Sequence, residues 1–200
     1  MKTICFEGGE GSGKGTAIKA LISHLESQGY KVIKTREPGG TPISEAVREV
    51  IVDEKHTAMS GLTEALLFAA CRTQLLKEVI RPAIERDDAD FMIIDRYVYS
   101  SYVYQGMARG VGYDKVRAIN EIATDGWHPD VVIFLDIDPQ KGLDRIAANN
   151  RETNRLDKEG IAFHNKVRAG YLSIADEFGF KVINADQNPE DVVKDIISVI

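Results

Sequence analysis

A chain of 200 residues, 44% of them hydrophobic, carries enough apolar material to bury a single core, which excludes a disordered segment or a stapled miniprotein. With 31 acidic against 25 basic side chains the formal net charge is -6 at pH 7, so the molecule as a whole does not match a nucleic acid, and any phosphate must be held by a local site. Two cysteines, Cys5 and Cys71, are too few and too far apart for a disulfide scaffold or a four-ligand zinc site.

The longest apolar run, from Ala65 to Cys71, is far short of the roughly 18 residues that span a membrane. Glu7 and Glu10 fall where a signal peptide would stay apolar. The expectation is a soluble, cytoplasmic protein with no membrane partner.

Residues 4–7 read as a strand, and residues 17–27 as a helix, because Ile18, Leu21, Ile22 and Leu25 recur at 3.6-residue spacing. Between them lie Gly8, Gly9, Glu10, Gly11, Ser12, Gly13 and Lys14. Two glycines five positions apart, followed by lysine between a strand and a helix, are the context of a phosphate-binding P-loop. Its backbone N–H groups and the helix N-terminus cradle a triphosphate, with Lys14 on the β and γ oxygens. The next residue is Gly15, where the strict pattern has a Ser or Thr hydroxyl for Mg2+, and Thr16 follows it. A metal held by phosphate oxygens, waters and a nearby carboxylate serves instead.

Further β-branched or aromatic runs at 31–34, 91–94, 131–135 and 181–183 predict four more strands. Helices are predicted over 44–52, 63–85, a short stretch after Tyr97, 113–124, 139–148, 157–178 and 189–199. Alternation of strand and helix makes this an α/β protein: a three-layer fold around a five-stranded parallel sheet flanked by helices. Asp95, at the carboxyl end of the 91–94 strand, is placed to meet the metal directly or through water. No composition shift divides the chain, so residues 1–200 are expected as one domain. The polar, aperiodic stretch at about 149–156 reads as a short lid.

Three further blocks carry a resemblance. Thr35-Arg36-Glu37-Pro38-Gly39-Gly40-Thr41-Pro42, Thr63-Glu64-Ala65-Leu66-Leu67-Phe68-Ala69-Ala70, and Asp95-Arg96-Tyr97 through Ser100-Ser101 to Tyr104-Gln105-Gly106 resemble the thymidylate kinases almost end to end. The resemblance implies a P-loop kinase fold, ATP and Mg2+, and transfer of a phosphoryl group from ATP to dTMP by a homodimer.

It also implies roles. Phe68 and Arg72, four apart on one helix face, would stack on the pyrimidine and donate to a carbonyl such as O4. Arg96 and Arg48 resemble the clamps of the acceptor phosphate. Ser101 and Gln105 would face the pyrimidine edge, and Tyr104 would crowd the place of a ribose 2′-hydroxyl. Glu10 is similar to an acidic residue near the sugar 3′-hydroxyl, and Glu37 is a second carboxylate; beside so much phosphate each needs a positive charge, a metal or a sugar hydroxyl to meet. Gly11 stands where some members carry an arginine, and Arg151 and Arg155 of the lid would supply the catalytic guanidiniums instead. Ala185 and Asp186 are candidates for contact with adenine.

His24, His56, His128 and His164 read as structural or surface residues, and no general base is nominated, because the attacking phosphate oxygen is already ionised. A kinase for dUMP or a modified pyrimidine stays open, since ring stacking cannot sense a methyl group. A nucleotide-dependent switch or ATPase also carries a P-loop, although an Asn-Lys-x-Asp guanine motif is absent from the sequence. Gly15 leaves room for a relative that has lost activity.

Overall fold

Short apolar strands separated by amphipathic helices bury both faces of each strand only when the sheet is parallel and covered on both sides. The computed structural model describes residues 1–148, 155–156 and 158–200, and it has this arrangement. Strands β1 (Lys2–Gly8), β2 (Val32–Arg36), β3 (Phe91–Asp95), β4 (Val131–Asp136) and β5 (Lys181–Asn184) lie in the order β2-β3-β1-β4-β5, every pair parallel. Each strand runs one or two residues past its predicted carboxyl end. That edge is where the chemistry-bearing residues sit.

Alternation along the strands divides the core. Ile4, Phe6, Ile93, Ile133 and Leu135 face α1 (Lys14–Ser27) and α9 (Pro189–Ile197). Cys5, Met92, Ile94, Val132 and Phe134 face the other layer, which holds α3 (Gly61–Leu75), α4 (Arg81–Arg86), α5 (Val98–Ser101), α6 (Tyr113–Thr124) and α8 (Ile161–Ile174). Two more helices, α2 (Pro42–Val52) and α7 (Pro139–Ala148), flank the carboxyl edge of the sheet. Ile51 of α2 packs on Phe68 and Cys71 of α3.

The helices correct the sequence reading in several places. Thr41 and Ser60 cap α2 and α3 by accepting the Ser44 and Thr63 backbone N–H at 3.1 Å, so both helices begin two residues before the apolar periodicity does. The single helix predicted over 63–85 is interrupted by a π-helical stretch, Leu76–Ile80. It precedes Pro82, which lacks the N–H that an uninterrupted α-helical ladder requires. The helix predicted over 157–178 begins at Ile161 behind the Gly160 cap and ends at Ile174. The short helix after Tyr97 continues into a second π-helical stretch, Tyr102–Ala108, which carries Tyr104 and Gln105. Most of the proposed lid, including Arg151, lies outside the described residues.

Candidate active site

Parallel register sets three strand ends abreast: Phe6 pairs with Asp95, and Arg36 also pairs with Asp95. The connections leaving β1, β2 and β3 therefore converge on one cleft of about 800 Å3. This is the crevice outside the carboxyl ends of an α/β sheet where ligands bind.

The loop after β1 forms its floor. Gly11 and Gly13 adopt φ 68° and 83°, a left-handed backbone that glycine enters without a Cβ penalty. Gly13 caps α1 without a side chain, so no capping side-chain oxygen satisfies the first-turn N–H groups, the arrangement of a helix N-terminus suited to an anion. Lys14 Nζ folds back on the carbonyls of Gly8 and Gly9 at 3.2 and 3.5 Å. Burial lowers its pKa, and the neighbouring Arg96 lowers it further. Ser12 Oγ is buried with no hydrogen-bond partner among the described residues.

Against the loop lies α7. A Cβ built on Gly11 would overlap the Gly142 carbonyl, and one on Gly142 would overlap the carbonyl of Glu10. An arginine at position 11 is therefore incompatible with this packing.

Arg96 leaves β3 with φ 67°, a strained conformation for a side-chain-bearing residue. Its N–H donates to the Phe6 carbonyl at 2.9 Å. The guanidinium donates to Glu10 Oε1 at 2.8 Å, to Ser100 Oγ at 3.1 Å and to Tyr171 OH at 3.3 Å. It also lies 5.2 Å from the centre of the Tyr104 ring, and Tyr104 OH donates to Glu10 at 3.1 Å. Glu10 thus meets a positive charge, one of the three partners expected for a carboxylate in this place.

Beneath this pair sits Glu7, fully buried. Its Oε1 accepts the N–H of Tyr97 at 2.9 Å and of Ser100 at 3.3 Å; its Oε2 accepts Ser100 Oγ at 2.6 Å and Tyr171 OH at 2.7 Å. A buried carboxylate is tolerated when its lone pairs are filled this way.

The other wall comes from β2, α2 and α3. Arg36, Glu37, Arg48 and Phe68 line the cleft with Asp95, Tyr104 and Gln105. Arg48 donates to the Pro38 carbonyl at 3.0 Å, and Arg36 makes a bidentate pair with Glu45. Glu37 pairs with Arg72. Burial pushes the Glu37 carboxyl up to about 7 against the pull of that guanidinium, and its Oε1 has no hydrogen-bond partner among the described residues.

Several residues sit elsewhere than the sequence suggests. Arg72, 1% exposed, lies behind the wall, bonded to Glu37, Asn120 and Ser101 and stacked on Tyr97; its Nε is an unpartnered donor among the described residues. Ser101 is buried beside it. Arg155 does not line the cleft: it donates to the Ile51 carbonyl at 3.0 Å and pairs with Glu64. At the far end Ala185 and Arg145 line the cleft, whereas Asp186 pairs with Lys141 outside it. None of the four histidines lines the cleft.

Sequence reasoning missed Glu7, Ser100, Tyr171, Glu64, Arg36 and Arg145. A signal existed for two: Glu7 and Glu64 are carboxylates at the ends of apolar runs, where a charge that becomes buried must be paired.

For a metal, the described residues hold no group of three or more His, Cys, Asp or Glu side chains. Asp95 and Thr16 line the cleft, and Gly15 offers no side-chain oxygen. The donor set suits a divalent ion that takes most of its ligands from phosphate and water.

A cleft with a glycine-rich floor and a lining that includes Arg36, Arg48, Arg96, Phe68 and Tyr104 is matched by relatedness. The family model described as thymidylate kinase matches residues 6–196. Thymidylate kinases of Geobacillus sp. and Bacillus pumilus are 50% and 49% identical to this chain, over 94% and 98% of it and 90% and 93% of their own lengths. That of Bacillus cytotoxicus is 48% identical over 98% of this chain and 95% of its own. The chain belongs to the thymidylate kinase family.

Proposed function

We propose that the cleft seats ATP over Glu10–Thr16 with its adenine toward Ala185, and dTMP against Phe68, its phosphate between Arg96 and Arg48. The protein is a kinase that phosphorylates dTMP to dTDP, with ATP as donor and Mg2+ as cofactor. The observation that carries the residue assignment is the placement of Arg96: held by Glu10, Ser100 and Tyr171, its guanidinium is fixed before any substrate arrives. Preorganised charge of this kind lowers a phosphoryl-transfer barrier without reorganisation in the reaction step.

In this reading Lys14 leaves the Gly8 and Gly9 carbonyls for the phosphates of ATP. Phe68 stacks on the base, and Tyr104, pinned by Glu10, closes the space beside the sugar. Asp95 and Thr16, which line the cleft, would help hold Mg2+, which would supply positive charge to the phosphate oxygens. Arg155, now on Glu64, and Arg151 are assigned to the lid at about 149–156 of a single domain, and turn toward the phosphates when it closes.

A homodimer is proposed on the exposed apolar side chains Leu62 and Leu66 of α3 and Ile122 of α6. The two buried free thiols suit a reducing, cytoplasmic compartment. No described helix is long and apolar enough to cross a membrane.

The test is ADP release from Mg·ATP with dTMP, dUMP, dCMP, AMP or no acceptor, each repeated with EDTA. Metal-dependent turnover that needs dTMP is expected. ADP release without an acceptor would point to an ATPase or switch and overturn the reading.

A further inference from the structure

Glu64 is a carboxylate buried to 1% exposure inside the apolar half of α3. It accepts Gln105 Nε2 at 2.8 Å and Arg109 Nε at 3.4 Å on one oxygen, and pairs with Arg155 on the other. Flanked by two guanidiniums that donate to it, Glu64 meets Gln105 as a hydrogen-bond acceptor. That settles a choice an amide otherwise leaves open: the NH2 end of Gln105 must face Glu64. Gln105 is itself 1% exposed and lines the cleft with Phe68 and Tyr104. Its remaining polar atom, Oε1, is buried with no hydrogen-bond partner among the described residues. A buried acceptor left empty is costly until a donor fills it.

We propose that Glu64 is a positioning residue that determines base specificity. By committing Gln105 Nε2 it leaves the cleft a hydrogen-bond acceptor, Gln105 Oε1, which suits a pyrimidine carrying N–H at ring position 3. Thymine and uracil have that N–H; cytosine has a bare acceptor there and meets Oε1 with repulsion. This rests on the proposed seat of the base between Phe68 and Gln105. A site built to satisfy one hydrogen-bonding group rejects an analogue that lacks it far more strongly than a site built on shape.

The experiment compares kcat/KM for dTMP, dUMP and dCMP in the full-length protein and in Glu64→Gln. The neutral amide at 64 can offer either end, so Gln105 is free to turn over. The dTMP:dCMP ratio is expected to fall at least about tenfold, and the dTMP:dUMP ratio to hold, since both bases carry the N–H. Loss of the Arg109 and Arg155 pairs acts on every acceptor alike and cancels in the ratios. Glu64→Asp, still an acceptor only, is expected to retain more of the discrimination than Glu64→Gln.

An unchanged dTMP:dCMP ratio in Glu64→Gln, beside a wild type that prefers dTMP, overturns the proposal and leaves the kinase reading intact. A wild type that does not prefer dTMP overturns both. Should Glu64→Gln not fold, Gln105→Leu removes the amide without touching the two ion pairs; retention of the ratio there also refutes it.

Discussion

Tyr171→Phe isolates the support beneath Arg96. Tyr171 is fully buried on α8, and its ring stacks on Phe134 at 4.8 Å, so the variant keeps the packing and loses one oxygen. That oxygen donates to Glu7 at 2.7 Å, lies 2.9 Å from Ser100 Oγ and accepts from Arg96 at 3.3 Å. A hydrogen bond to a charged group contributes about 1.5–3 kcal/mol net, and the two longer contacts add little. In a chain of this size each kcal/mol moves Tm by about 2–4 °C, so Tm is expected to drop by about 3–12 °C. Arg96 keeps Glu10 and Ser100 and loses one of three anchors. A loosening of about 1 kcal/mol corresponds to a loss of about fivefold in kcat/KM for dTMP, with KM for ATP unchanged. Scanning calorimetry and steady-state kinetics on the same preparation read both effects. An unchanged Tm would refute the argument for Glu7, and a kinetic loss confined to ATP would refute the argument for Arg96.

Arg96→Ala is expected to lower kcat at least about 100-fold, whereas Phe68→Ala, losing about 1–3 kcal/mol of base stacking, acts chiefly on KM for dTMP; similar profiles for the two would undo the division of labour. Gly142→Ala gains about 1 kcal/mol of helix propensity in α7 but forces a methyl into the Glu10 carbonyl, so KM for ATP is expected to rise several-fold while Tm moves little; wild-type kinetics would show that the loop and α7 do not press on each other. Burial lowers the pKa of His128 below its usual 6.5, so the unfolded chain protonates first as the pH falls. The stability tied to its neutral form is present above pH 6.5 and lost below it, and His128→Phe is expected to flatten the decline of Tm between pH 7 and 5.

The strands and the glycine-rich loop were legible because each rests on a local pattern. Apolar runs gave the strands to within two residues, and the glycine spacing gave the loop. What the pattern did not show is pairing across elements. Glu7 and Tyr171 are 164 positions apart, and nothing in either neighbourhood names the other. Arg72 shares a helix face with Phe68 as expected, yet Glu37 and Asn120 draw its guanidinium behind the wall. The two π-helical stretches escaped for a related reason: their sequences keep helical propensity, and only the backbone shows the extra residue in each turn.

Charge distribution ties these pairings to function. The chain carries a formal net charge of -6, but among the described residues the cleft lining holds five cations, Lys14, Arg36, Arg48, Arg96 and Arg145, against three carboxylates, Glu10, Glu37 and Asp95. Two of those carboxylates are engaged: Glu10 by Arg96 and Tyr104, and Glu37 by Arg72 from behind the wall. Asp95 makes no side-chain hydrogen bond or ion pair among the described residues, although it sits between the loop and the clamps. Its carboxylate is attracted by Lys14 and Arg48 across the cleft, and beside several phosphate charges a further cation would offset its repulsion of the ligand. Gly15 offers no hydroxyl on the loop side, so in the proposed reading Asp95 and Thr16 are the lining side chains that would help hold a metal brought in with the nucleotide phosphates.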